Sequence, residues 1–194
     1  MNKTINKIRK NSNKINELVS RVDQAYSTRD LSEAHSIEWE DVCYELHYNY
    51  EILYFPGGHE RLKRIRENDP IAIESAIQFL LADPYHFRSG YLKEYLWHWL
   101  QHCPLSNSDK HKLEQAALLY LKRRITREFW AMCKAMARLA SAKFWIDVAL
   151  YTKQSNTPEA FRALYLLAHA ANIQAGSILR RSIYRTVLSN KYKT

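Results

Sequence analysis

The chain has 194 residues, 46% hydrophobic and 12% aromatic, with 29 Lys and Arg against 20 Asp and Glu for a formal net charge of +9. This excludes a disordered chain, and four Gly with five Pro leave little turn material for a many-stranded fold, so an all-α protein of long helices is expected. Apolar runs such as 116–121 and 163–168 are too short to cross a bilayer, and the basic amino terminus lacks the apolar core of a secretory signal, so the mature chain is expected to start there, without membrane association.

Residues 4–27 predict a polar helix with one apolar stripe, Ile8, Ile15, Leu18, Val22 and Ala25, at heptad-like spacing. Asn11 interrupts the seam and it spans barely three heptads, which favours packing on the protein's own body over a coiled-coil dimer. A second helix is predicted over 36–54, with Trp39, Val42, Cys43, Leu46, Tyr50 and Leu53 on one face and Glu38, Asp41 and Glu45 on another. Pro56, Gly57 and Gly58 end it, because Pro supplies no N–H and paired Gly favour a turn. Residues 60–67 then read as a short basic helix.

Asp69-Pro70 and Asp83-Pro84 read as two helix starts, each Asp capping exposed N–H groups and each Pro at the first helical position, where a missing donor is harmless. So tight a joint predicts an antiparallel hairpin of about a dozen and about eighteen residues. Further helices are predicted over 108–122, 126–140, 141–153, from Pro158, and over 174–191. Trp97 and Trp99 fall on opposite sides of their helix, which suggests that it is packed on both faces.

The pattern Leu80-Leu81-Ala82-Asp83-Pro84-Tyr85-His86-Phe87-Arg88 resembles the second-helix signature of HEAT repeats. Pro158, Phe161 and Arg162 repeat the spacing of Pro84, Phe87 and Arg88, and 74 residues separate the two prolines, two repeats of about 37. A degenerate repeat with Phe129 at the Phe position would lie between them. The resemblance covers about residues 69–172 and implies a HEAT-like stack of antiparallel helical hairpins, an α-solenoid or compact right-handed superhelix, with an N-terminal helical arm. One domain is expected, with N-terminal helices over 1–55 and the stack over 60–194. A compact non-repeat bundle is the alternative.

Charge is segregated: residues 1–31 carry +4, residues 32–60 carry −7, residues 61–84 balance, and residues 85–194 carry +12. A segment so basic raises the local concentration of anionic partners. Alternatively, its cations are a solvated face, or the acidic segment docks against it. The candidate partner-binding residues are Lys122, Arg123, Arg124, Arg127, Lys134, Arg138, Arg180, Arg181 and Arg185. HEAT families generally hold another protein on a concave row of helices, and the first expectation is a non-catalytic interaction protein that binds an acidic partner protein. Nucleic acid on the same surface is the alternative, with Trp130, Trp145 and Tyr184 as stacking candidates. A group of HEAT-like alkylpurine DNA glycosylases would imply a pocket, for which Trp145, Asp147 and Tyr151 are the only set of suitable types in the basic half. A third reading is an immunity or inhibitor protein that uses Glu38, Asp41 and Glu45 against a basic partner.

Glu94, His98 and His102 share a helix face, but three ligands a turn apart span about 12 Å, so at most two would reach one ion unaided. No metal and no cofactor is expected. Cys43, Cys103 and Cys133 form no C-x-x-C pair and read as small core hydrophobes in a reducing cytoplasm. Gly-rich phosphate loops, nucleophile elbows and H-E-x-x-H motifs are missing, which weighs against an enzyme.

Overall fold

In the computed structural model, helix α1 (Lys3–Thr28) and helix α2 (Glu33–Leu53) are joined by the short segment 29–32. Residues 3–123, 125–153 and 157–175 are described, and they form nine α-helices, one 3-10 turn and no strand. Three tie points set the sense of the first pair. The rings of Tyr26 and Trp39 lie 6.2 Å apart, Arg21 pairs with Glu45 at 2.7 Å, and the Asn11 side-chain amide donates to Leu53 O at 3.4 Å. Numbers fall along α1 as they rise along α2, so the two helices are antiparallel. Ile8, Ser12, Ile15, Leu18 and Ala25 are the buried residues of α1, spaced to form one stripe. α1 packs on both α2 and α4, so its heptad-like seam is used within its own chain.

Ser32 opens α2, its hydroxyl accepting the His35 N–H, three residues earlier than the apolar periodicity indicates. The chain then turns through Gly57 at φ +85 and Gly58 at φ +66, a left-handed pair that only glycine adopts without strain. Helix α3 (Gly58–Arg64) runs into a 3-10 turn (Ile65–Glu67), and Asn68 at φ +60 redirects the chain into α4 (Pro70–Ala82). Asp69 caps α4 as expected: its carboxylate accepts the Ala72 N–H at 2.8 Å and pairs with Arg64, and Pro70 occupies the first turn.

Asp83-Pro84 corrects the sequence reading. Asp83 is the C-terminal cap of α4, in the left-handed conformation at φ +46, ψ +54, and Pro84 follows it where a proline stops a helix. Side chains of α1 hold this exit: Arg9 donates to Ala82 O, and both Ser12 and Asn16 donate to Tyr85 O. The next helix, α5 (Ser89–Leu100), begins only after Arg88 at φ +62 and has 12 residues instead of about eighteen.

The chain divides into two compact units, Met1–Leu92 and Lys93–Thr194. In the first unit α3 and α4 pack with α1 and α2 around Ile15, Phe55, Ile65, Ile77 and Phe79. In the second unit, α6 (Asn107–Tyr120) opens on a capping box between Ser106 and Asp109. Helices α7 (Arg127–Leu139), α8 (Ala142–Thr152) and α9 (Pro158–Ala175) follow, with α6 packed on α7 and α9 packed on both α7 and α8. Glu114 of α6 reaches the start of α8, where its carboxylate accepts the Ser141 N–H at 2.7 Å. The core holds Trp97, Tyr120, Phe129, Met132, Met136 and Phe144, and the Trp97 indole donates to the Tyr120 hydroxyl at 3.2 Å. Trp99 is half-buried, stacked on Tyr95.

The two copies of the Pro-x-x-Phe-Arg spacing adopt different structures. Pro158 to Arg162 opens α9, with Thr157 accepting the Ala160 N–H, whereas Pro84 to Arg88 forms the connection before α5. The final predicted helix, 174–191, lies outside the described residues apart from the last residues of α9.

Candidate interaction surfaces

The basic candidates of the second unit fall into three groups. Arg123 is turned inward: its guanidinium lies 3.7 Å over the Tyr120 ring, and Nη2 is 3.4 Å from Glu128 Oε1. The same carboxylate oxygen lies 3.7 Å from Lys93 Nζ, and the Lys93 and Glu128 side chains are only 1% and 4% exposed. A buried charge persists only where it is paired, so Arg123 serves the interior more than a partner. Arg127 is half-exposed and bonded through Nε to the Glu94 carboxylate.

Lys122, Lys134 and Arg138 make up the second group, exposed and without a carboxylate partner among the described residues. Lys134 and Arg138 sit one turn apart on α7, and Arg138 Nη1 lies 3.4 Å from His102 Nε2. Arg124, Arg180, Arg181 and Arg185 form the third group and lie outside the described residues, as does Tyr184.

A shallow cleft of about 190 Å³ between α5 and α7 is lined by Tyr95, His98, Gln101, Trp130 and Lys134, with Glu94 at its edge. That is below the volume usual for small-molecule sites, roughly 300–1,000 Å³. Glu94, His98 and His102 do not converge. Glu94 is held by Arg127, His98 and His102 meet edge to face at 5.8 Å, and His102 faces a cation. No group of three metal-ligating side chains occurs among the described residues. Trp145, Asp147 and Tyr151 do not make a pocket acid: Asp147 is bound by Lys143 at 3.0 Å, one turn back on α8, and Trp145 rests edge-on against Phe144. Burial pushes the Cys133 and Cys103 thiols above their usual range, which disfavours the thiolate form of both.

The acidic face is built differently from the basic one. α2 carries six carboxylates and no Lys or Arg, and none of its residues is fully buried. Its Trp39, Cys43, Leu46, Tyr50 and Leu53 side chains are half-buried, on the face whose neighbours include Tyr26 of α1 and the rings of Tyr54, His86 and Phe87. Of the carboxylates, Glu45 reaches Arg21, whereas Glu38 and Asp41 are exposed with no cation partner among the described residues.

On the opposite side Ile37, Tyr44, Tyr48 and Ile52 are 54%, 75%, 62% and 57% exposed. Their intervals of seven, four and four place them in one row with Asp41 among them. This second apolar stripe escapes the sequence reading because a helix apolar on two opposed faces has no single dominant side; the signal was the interval pattern itself.

Comparison with family models, with characterised proteins and with solved structures gave no match.

Proposed function

We propose that the chain is a non-catalytic interaction protein and that the outer face of α2 is its docking surface, taking a basic partner that carries apolar anchors. The observation behind this reading is the exposed row Ile37, Tyr44, Tyr48 and Ile52, set among Glu33, Glu38, Glu40, Asp41 and Glu51. Large exposed apolar side chains in a contiguous row mark contact surfaces, and Tyr is favoured there because its ring is rigid and its hydroxyl tolerates water. The row spans about 22 Å, enough to seat four turns of an amphipathic helix. Charge complementarity sets the partner's sign, because five of the six α2 carboxylates have no cation partner among the described residues. The inhibitor reading, an acidic helix set against a basic protein, is the form of this proposal that the residues favour.

The test uses two synthetic amphipathic helical peptides, one of Leu and Lys and one of Leu and Glu. The Lys peptide binds and weakens with salt, the Glu peptide does not, and Tyr44→Ala with Tyr48→Ala lowers affinity about tenfold or more. Equal affinity of wild type and double variant for the Lys peptide rules out this surface.

The basic surface supports a second reading, binding of an anionic strand or acidic protein on α7, through Lys134 and Arg138 beside the exposed ring of Tyr95. The packing of α6 on α7 and of α9 on α8 and α7 supports reading them as two successive HEAT-like hairpins, with this surface on a second helix. Single-stranded DNA and RNA titrated at two salt concentrations separate the readings, since phosphate binding through these cations falls steeply with salt. Absence of binding at low salt eliminates the nucleic-acid form.

A further inference from the structure

In the first unit, the amino-terminal turns of α1 pass the end of α2 and the turn at Pro56 and Gly57, and an open pocket of about 360 Å³ lies among them. Its apolar lining is Ile8, Ile52, Phe55 and Pro56, of which Ile8 and Phe55 are buried in the core. Its charged lining is Lys3, Lys7 and Arg61, with no carboxylate among the described residues that line it. None of these three cations has a carboxylate partner among the described residues, although Glu60 beside Arg61 is paired with Lys63. Lys3 and Lys7 stand one turn apart on the same face of α1.

The seat of Arg61 is built by the backbone. A Cβ at Gly57 would fall 2.6 Å from Arg61 Nε and 2.8 Å from Cζ, so the guanidinium lies against the space left by the missing side chain. The same glycine has φ +85, and its freedom is used for the turn as well as for this close approach.

We infer that this cavity binds a phosphate monoester joined to an apolar group. Three cations around one mouth repel one another until an anion joins them, and a dianionic phosphate answers that charge better than a single carboxylate does. Arg61 supplies the planar fork that matches phosphate oxygens, and the two lysines add point charges. The apolar lining sets the second requirement, because a free phosphate leaves the exposed Ile52 and the half-buried Pro56 facing water, whereas an ester places its carbon body against them. The volume lies within the range of small-molecule sites, roughly 300–1,000 Å³. Ile52 ends the outer row of α2 and also lines the pocket, so the two surfaces share that residue, but the cations and the chemistry of the pocket are distinct from those of peptide docking.

Calorimetric titration of the full chain with 1-naphthyl phosphate, 1-naphthol and inorganic phosphate tests both requirements. The ester is expected to bind about tenfold or more tightly than either part, and to weaken as salt rises. Arg61→Ala and Lys7→Ala each lower its affinity about tenfold, and Arg61→Lys retains part of it, with circular dichroism confirming that each variant is folded. Vesicles containing phosphatidate distinguish the source of the ester: binding that Arg61→Ala removes assigns a lipid headgroup, and binding of the soluble ester alone assigns a free metabolite. Affinity unchanged by Arg61→Ala, or inorganic phosphate equal to the ester, overturns the inference.

Discussion

Lys93 Nζ stands 3.7 Å from Glu128 Oε1, with both side chains withdrawn from solvent, and Arg123 approaches the same oxygen at 3.4 Å. Two cations therefore share one buried carboxylate. Removing the carboxylate takes a buried counter-charge from both, and Glu128→Ala is predicted to destabilise the fold by about 3–5 kcal/mol, measured by urea denaturation. Glu128→Gln, which keeps shape and some hydrogen bonding, costs less. Lys93→Met combined with Glu128→Met recovers part of the loss, because an apolar pair of similar volume needs no desolvation of charge, while Arg123 still loses the Glu128 carboxylate. A double variant as unstable as Glu128→Ala contradicts this account.

The two faces of the α1 and α2 pair give opposite outcomes. Ile15 is wholly buried, and Ile15→Ala is predicted to cost about 2–5 kcal/mol. Tyr44 is 75% exposed, and Tyr44→Asp is predicted to move the urea midpoint within about 0.5 kcal/mol of wild type while weakening capture of the Lys-rich peptide. A large loss of stability in Tyr44→Asp shows that the outer face is packed, and removes the basis for docking there.

The all-helical class and most helix starts were legible because they depend on local chemistry. Asp69 with Pro70, Ser141, and Thr157 with Pro158 cap or begin helices through bonds that span three residues. The positions of the cations were legible too, but not their use. Glu94 meets Arg127 from 33 residues away, and Glu128 meets Lys93 from 35, so two of the few acids in the basic half neutralise cations that sequence alone counts as surface. The exit of α4 was misread for the same reason. An Asp-Pro pair is compatible with a helix start and with a helix stop, and bonds from Arg9, Ser12 and Asn16, some seventy residues earlier, accompany the stop.

The two Asp-Pro pairs therefore separate under substitution. Asp69→Ala removes an N-terminal cap and is predicted to cost about 1 kcal/mol. Asp83 sits at φ +46, a conformation that disfavours residues with a Cβ, so Asp83→Gly is predicted to raise stability, by up to about 1 kcal/mol. If Asp83 were instead an N-terminal cap, glycine would bring no gain. Thermal denaturation of the two single variants at one pH decides between the two roles.

Tyr54 links the core to alkaline stability. Burial, with the neighbouring charge of Glu51 and the presence of Tyr50 adding to it, pushes its hydroxyl up to about 12, and burial also raises Tyr50. In the unfolded chain a tyrosine releases its proton near pH 10. Above that point the unfolded state carries fewer protons than the folded one, so stability must fall as pH rises. The contribution is fully present below about pH 10 and gone once pH passes the folded value near 12. Tyr54→Phe removes this ionisation along with the contact of the hydroxyl to His59 Nδ1 at 3.4 Å. Its expected signature is a smaller drop in urea midpoint than wild type between about pH 9 and about pH 11, whatever its stability at neutral pH. Equal drops in Tyr54→Phe and wild type would mean that Tyr54 ionises as freely in the folded chain as in the unfolded one.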